Sequence, residues 1–292
     1  MEINFGTNYS KCNIIFDVNG NYTINNANMR ITSANNWNGR VAFPNGITWA
    51  RVDAYVRETT SQLNAFNAKT EFPNTVISLV NCFSQRGRFN KPVNIPNSVT
   101  NTTYMFTSCP KLNQNIQIPN SVTSTASMFT SCSNLNQNIQ IPNSVKNTAS
   151  MFNNCPKLNQ NIQIPNSVTN TTYMFNNCSN LNQNILVPSM NTSTKNAWFM
   201  FRHCNNLSDV SLRSETINNK FTGAFRFNNS QSLNIWTDLT TVANLITTNI
   251  IHPNNINMQL VAQILPTWTT ITNGYYNELY NVYIYTNAVF PS

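Results

Sequence analysis

The chain is short of charge, short of glycine and, through its middle, empty of acid. Charged residues make up 9% of its 292 positions, against 40% hydrophobic. Solubility therefore cannot rest on the usual lysine and glutamate surface and falls to neutral amides and hydroxyls, above all asparagine. Only seven glycines accompany an aromatic content of 11%, which excludes a disordered asparagine-rich tract and predicts an ordered fold. Residues 1–6 lack the basic start and apolar core of a secretory signal, and no apolar run is long enough to cross a bilayer. The expectation is a chain made in soluble form, with no Sec signal of its own.

No Asp or Glu falls between Glu71 and Asp209, an interval that holds Arg86, Arg88, Lys91, Lys111, Lys146, Lys157, Lys195 and Arg202. The flanks balance, so the net charge of +8 sits in that interval. A positive field there favours an acidic partner such as an anionic glycan, a teichoic-type polymer or an acidic protein face. The plainer reading is a handful of solubilising charges, and both stay open. The same gap removes the paired carboxylates that glycoside hydrolysis needs. Glycine-rich phosphate loops and His-Glu-x-x-His patterns are also missing. Catalysis would have to come from the ends of the chain, and the expectation is a protein that is not an enzyme and takes no cofactor and no metal.

What is present is a repeat. The phrase Ile95-Pro96-Asn97-Ser98-Val99 returns at Ile118, Ile141 and Ile164 and, altered, at Val187, each time after 23 residues. Every copy carries the same apolar skeleton: Val99, Met105, Phe106, Cys109, Leu112, Ile116 and Ile118 in one, their equivalents in the others. Burying about six such side chains is worth roughly 9 to 18 kcal/mol, while ordering a coil costs roughly 1 to 2 kcal/mol per residue. An isolated coil should not fold, so the copies must stack. Residues 116–118 alternate like a short strand, Pro119-Asn120 turns the chain, and residues 126–129 suit one helical or 3₁₀ turn.

The expected fold is a repeat solenoid of the leucine-rich-repeat kind, with short parallel strands and short helical turns at period 23, closed by α+β caps. Its divisions are an N-terminal cap or attachment region over 1–71, the array over 72–233 and a C-terminal cap over 234–292. In the first cap, residues 14–24 read as a β-hairpin on Asn19-Gly20, followed by a helix over 49–66. In the last, residues 258–265 read as a short helix stopped by Pro266, and 280–285 as a closing strand.

The segment Ile-Pro-Asn-Ser-Val-Thr, then an aromatic doublet, then Cys and Leu three residues apart, resembles the BspA-type leucine-rich repeats. Met128 to Gln137 also resembles the related repeat of mycoplasma and lactobacillus surface proteins. This resemblance implies the fold and, for function, adhesion or recognition, since such arrays occur in bacterial and parasite surface proteins and in virion proteins of bacteriophages. The Met-Phe doublet departs from the usual Ala-Phe until Ala224-Phe225.

Cys109, Cys132, Cys155 and Cys178 come once per repeat. Stacked, they make a file of parallel thiols with neither the geometry of a disulfide nor the convergence of a zinc site, so they read as packing groups. His203 beside Cys204 is the one formal thiol–imidazole pair, and neighbours on a coil point apart. The candidate binding face is the outward one, Asn115, Gln117, Asn138, Gln140, Asn161, Gln163 and Asn184, expected to form two amide ladders that either hold a sugar or peptide or only brace the sheet. Arg88, Lys111 and Lys157 share one repeat position as an interrupted basic stripe, too sparse for nucleic acid. The partners expected are other virion or surface proteins, met through a terminal cap in an oligomeric assembly, and a host-surface glycan or anionic polymer. The first placement is a bacteriophage virion surface; the alternative is an adhesin on a bacterial cell.

Overall fold

A 23-residue coil must reverse direction several times, and the sequence marks the places. The Pro-Asn-Ser-Val phrase closes a turn in every copy: the Val N–H donates to the Pro carbonyl in Val99 to Pro96 (3.0 Å), Val122 to Pro119 (3.0 Å), Val145 to Pro142 (3.1 Å) and Val168 to Pro165 (3.1 Å). The serine of the phrase binds the neighbouring coil. Ser98, Ser121 and Ser144 donate to the carbonyls of Val76, Val99 and Val122 at 2.6 to 2.7 Å.

The structure, a computed structural model, describes residues 4–5, 12–15, 40–42, 48, 50, 66–67, 69–188, 195–212, 233–237, 269–271, 274–277 and 282–285. It divides into two units, Met1–Val145 and Lys146–Ser292. The N-terminal unit opens with a four-stranded sheet of β1 (Asn4–Phe5), β2 (Cys12–Ile15), β3 (Arg40–Ala42) and β4 (Lys69–Glu71), in that order. β1 and β2 are antiparallel; β2, β3 and β4 run parallel. The hairpin expected over 14–24 lies outside the described residues except for Ile14 and Ile15, which belong to β2. The helices expected over 49–66 and 258–265 fall almost wholly outside the described residues.

Within the N-terminal unit the repeats lie one upon the next. Phe83, Phe106 and Phe129 form a file of fully buried rings, 5.3 and 5.6 Å apart and within 8° of parallel. Beside it runs a second file in which Phe66 and Phe89 hold the place that Leu112 and Leu135 hold later, so the array begins with a denser aromatic plug: Phe83 and Phe89 stack at 4.4 Å. The C-terminal unit repeats the arrangement, with Phe152, Phe175 and Phe201 at 5.7 and 5.6 Å.

The stretch expected as one helical or 3₁₀ turn keeps the three-residue-back hydrogen bonds of a 3₁₀ turn, Met128 to Thr125, Thr130 to Ser127 and Cys132 to Phe129, without becoming a helix. Among the described residues there is no helix, and residues 102–109 form a chain of linked turns in which Met105, Thr107 and Cys109 donate to the carbonyls three residues back, Thr102, Tyr104 and Phe106. The alternate donors, Thr102, Tyr104, Phe106 and Ser108, reach the next coil at Ser124, Ala126, Met128 and Thr130. A helix would keep all these bonds inside one coil and leave nothing to join the stack. Left-handed residues make the alternation possible, two per coil and four apart: Tyr104 and Ser108, Ser127 and Ser131, Ser150 and Asn154, Tyr173 and Asn177. Asparagine, serine and even tyrosine take a conformation that glycine usually supplies.

The sheet strands also differ in extent from expectation. Residues 115–118 keep the exposed-buried alternation, yet they lack a strand ladder. Hydrogen-bonded parallel strands appear in the C-terminal unit, as β5 (Ile185–Val187), β6 (Asp209–Leu212) and β7 (Leu233–Thr237). There the sheet continues through β10 (Val282–Tyr285), β9 (Gly274–Asn277) and β8 (Thr269–Ile271), in the order β5-β6-β7-β10-β9-β8. The strand expected at 280–285 thus exists but sits inside the sheet, parallel to β7, and β8 forms the edge.

Candidate functional site

Two asparagines in each Leu-Asn-Gln-Asn phrase have opposite fates. The first, directly after the leucine, joins the coils. Asn67 Oδ1 accepts the backbone N–H of Asn90 (2.8 Å), Asn90 that of Asn113 (2.9 Å) and Asn113 that of Asn136 (2.9 Å). The glutamine side chain that follows adds a second donor to the same oxygen, Gln114 to Asn90 at 3.0 Å and Gln137 to Asn113 at 3.1 Å. In the C-terminal unit, Asn159 receives Asn182 and Gln183 in the same way. A side-chain oxygen here bonds the backbone N–H that a neighbouring strand's carbonyl would otherwise take. Sequence reasoning passed over this ladder, although one signal existed: Asn67 and Asn90 keep the residue in the degenerate early copies, where Lys69 and Pro92 have replaced the outward one.

The second asparagine stands on the outward face with the candidate residues. Asn115, Gln117, Asn138 and Gln140 in the N-terminal unit, and Asn161, Gln163 and Asn184 in the C-terminal unit, are all exposed. The expected ladders between coils are corrected by their bonds, which lie within each coil: Gln117 Nε2 donates to Asn115 Oδ1 (3.2 Å), Gln140 to Asn138 (3.1 Å) and Gln163 to Asn161 (2.8 Å). The residues are two apart and point the same way, so they meet before either reaches a neighbouring coil. Asn184 differs, accepting from Ser211 Oγ at 2.9 Å.

These two roles separate in a stability experiment. Asn113→Ala takes the acceptor from the Asn136 N–H and the Gln137 amide, and at this solvent-facing site it should cost about 1 kcal/mol. Asn115→Ala removes one exposed bond within a coil and should stay within about 0.5 kcal/mol of wild type. Thermal unfolding of the two variants in parallel checks the difference.

Lys69, Pro92, Asn115 and Asn138 occupy one outward repeat position, and Glu71, Asn94, Gln117 and Gln140 another. At the front of the N-terminal unit they border a groove of about 440 Å³ lined by Lys69, Thr70, Glu71, Phe72, Pro92, Val93, Asn94, Asn115 and Gln117. Lys69 Nζ and the Glu71 carboxylate stand 3.4 Å apart. Thr70 and Val93, both buried, bridge in parallel. Of this set the sequence marks only Asn115 and Gln117 as outward candidates, because Lys69 and Glu71 fall before the expected array and Pro92 and Asn94 break the Asn-x-Gln spelling in its altered first copy.

Of the basic stripe, Arg88 is half-buried and Lys111 exposed in the N-terminal unit, and Lys157 is exposed in the C-terminal unit. Asn134 takes the same repeat position after Lys111, and its Nδ2 donates to the Pro110 carbonyl at 2.7 Å.

The cysteines are more than fillers. Cys109 donates its thiol to the Phe83 carbonyl (2.9 Å) and Cys132 to Phe106 (3.1 Å); Cys178 reaches Phe152 (3.1 Å) and Cys204 reaches Phe175 (2.9 Å). Burial pushes the Cys109 thiol up to about 12, against smaller opposing effects from the Arg86 backbone and charge, and raises Cys178 and Cys204 likewise. A thiolate is the reactive form, so these groups are poor nucleophiles. Arg86 fills the thiol position of the first coil and is itself buried. His203 Nε2 accepts from Arg202 Nε at 3.1 Å, while the Cys204 thiol is spent on Phe175. Among the described residues no three His, Cys, Asp or Glu side chains gather as a metal site, and no helix is long and apolar enough to cross a membrane.

At the β6–β7 pair the outward face changes character. Asp209 Oδ1 accepts from Asn234 Nδ2 and Trp236 Nε1, both at 3.0 Å, and Oδ2 accepts from Ser208 Oγ at 2.7 Å. Burial would raise the Asp209 carboxyl, but these three donors outweigh it and hold the group below its ordinary value. A depressed carboxylate stabilises the fold above its unfolded pKa, near ~3.9, and that contribution fades as pH falls through the lower folded value. Asp209→Asn should therefore cost about 1 kcal/mol at pH 7, with the gap from wild type closing below about pH 4. Urea unfolding of both proteins across pH 3 to 7 reads this out.

No curated protein matches the chain. Among solved structures it is similar to a leucine rich cell surface protein from Faecalibacterium prausnitzii A2-165, at 20% identity and a TM-score of 0.42, over 73% of this chain and 63% of that one. It is also similar to a leucine-rich repeat protein from Bacteroides ovatus ATCC 8483, at 14% identity and a TM-score of 0.43, over 80% and 69%. The chain thus spans a little under two thirds of the first of these. A protein family matches at residues 57–141 and 118–214, together more than half of the chain and covering the stacked repeats. On that match the chain belongs to the family described as Mycoplasma protein of unknown function, DUF285.

Proposed function

We propose that the protein works without catalysis, as a surface-displayed repeat scaffold whose outward face binds a partner. The observation that carries this reading is the division of labour among the asparagines. The ladder through Asn90 and Asn113 joins the coils, whereas Asn115 with Gln117, Asn138 with Gln140 and Asn161 with Gln163 stand exposed and bond only to each other. Each pair leaves a carbonyl and an amide hydrogen facing water, a donor and an acceptor repeated coil after coil. The acid-free stretch from Glu71 to Asp209 supports a binding role over hydrolysis, since it offers no paired carboxylates.

The family's name refers to a mycoplasma protein, which supports display on a bacterial cell ahead of display on a virion. A virion protein would use the same face, carried on a particle. The experiment is adherence of the purified chain to host cells and isolated cell envelopes, comparing wild type with Gln117→Ala/Gln140→Ala/Gln163→Ala. Loss of adherence at unchanged thermal stability supports the reading. Full adherence by the triple variant, or none by wild type, contradicts it.

A further inference from the structure

The groove at the front of the N-terminal unit has a composition that selects one class of ligand. Three successive coils present Lys69 and Glu71, then Pro92 and Asn94, then Asn115 and Gln117 at the same two outward positions. The middle coil carries the shorter side chains, so it becomes the floor and its neighbours become walls. At about 440 Å³ the space falls within the range of small-molecule sites, ~300 to 1,000 Å³.

One wall is an ion pair: Lys69 Nζ stands 3.4 Å from Glu71, with side chains 70% and 38% exposed. Its charges sum to zero. An anionic ligand drawn to Lys69 would meet the Glu71 carboxylate at the same spot, so the positive field of the wider chain finds no expression here. The other wall is the amide pair, whose internal bond leaves Asn115 Nδ2 and Gln117 Oε1 with no other partner among the described residues. The floor offers the flat C–H surface of Pro92, with Phe72 at the edge, half-buried and packed edge-on against Phe83 at 6.1 Å. An added peptide strand would need a free backbone edge, yet β4 pairs with β3 on one side and bridges to Val93 on the other.

We propose that this groove binds a neutral oligosaccharide, whose hydroxyls exchange hydrogen bonds with the Asn115–Gln117 amides and the Lys69–Glu71 pair while its C–H faces lie on Pro92 and Phe72. The assignment rests on the outward face being the binding face, and it narrows the partner from any surface polymer to an uncharged sugar chain.

The test is calorimetric titration of the full chain with a panel of neutral hexose and N-acetylhexosamine tri- and tetrasaccharides, and with a glycerol-phosphate polymer as the anionic arm. The expected result is binding of at least one neutral oligosaccharide with affinity nearly constant between low and high salt. Two lost hydrogen bonds should weaken it about tenfold in Asn115→Ala/Gln117→Ala. Asn97→Ala/Asn120→Ala, which removes two exposed amides at turns that do not line the groove, should bind as wild type does. Binding of none of the neutral panel, binding of the phosphate polymer alone with loss in salt, or equal affinity in both double variants would each overturn the assignment. If envelope adherence survives such a result, the surface-binding reading stands and only the groove is lost. If adherence fails too, both fall.

Discussion

Phe106→Ala is expected to destabilise the protein by about 3 to 5 kcal/mol, a fall in thermal midpoint on the order of 10 °C. The ring is fully buried, stacked between Phe83 at 5.3 Å and Phe129 at 5.6 Å, and its backbone N–H and carbonyl hold the next coil through Met128 and the Cys132 thiol. Truncation removes a ring from the middle of a file, where the coils above and below are tied together by backbone bonds and cannot close the gap. Tyr104→Ala, two residues earlier and 45% exposed, should cost far less. Differential scanning calorimetry of both variants measures the contrast.

The second large effect comes from the alternation of the outward segment. Ile139 is fully buried while Gln140 beside it is exposed. Ile139→Asp places a carboxylate in an apolar file that holds Ile116 in the coil before and has no cation at that position. The cost is several kcal/mol, enough to leave the fold marginal at pH 7. Burial raises the carboxyl of the variant, so part of the loss should return as the pH falls and the group becomes neutral. Gln140→Asp, in solvent, should change stability by less than about 0.5 kcal/mol. Circular dichroism melts at pH 7 and pH 5 decide the matter.

What the sequence made legible was whatever repeats as an apolar residue. Phe106, Leu112, Cys109 and Ile116 recur every 23 positions, a buried file demands near-identity, and the structure buries each of them. The linked turns were not legible because nothing in a serine or tyrosine announces a left-handed conformation. Tyr104 and Ser127 hold the same place in successive coils with φ near 58° and 53°, and local preference alone would have put both elsewhere. The demand comes from outside the coil, from carbonyls that must face the next repeat.

The candidate site was half legible for a related reason. Asn113 and Asn115 look alike in a phrase rich in asparagine, yet one accepts the N–H of the next coil and the other only its neighbour's amide. Chemistry by residue type could place both at the surface but could not say which was already spent. The groove lay hidden because Lys69, Glu71 and Pro92 belong to copies that have lost the repeat's spelling while keeping its path. A cavity arises where side-chain length changes along a file, and a regular repeat draws attention to the places where it does not.

Positions 23 apart occupy one place in successive coils, so outward residues fall into rows. Cysteines introduced as Asn115→Cys and Asn138→Cys, each labelled with pyrene maleimide, test it directly, because two pyrenes one coil apart on the same face form an excimer. Strong excimer emission is expected from the double variant at dilutions where each single variant shows only monomer fluorescence. Monomer emission alone from a folded, doubly labelled protein would contradict it.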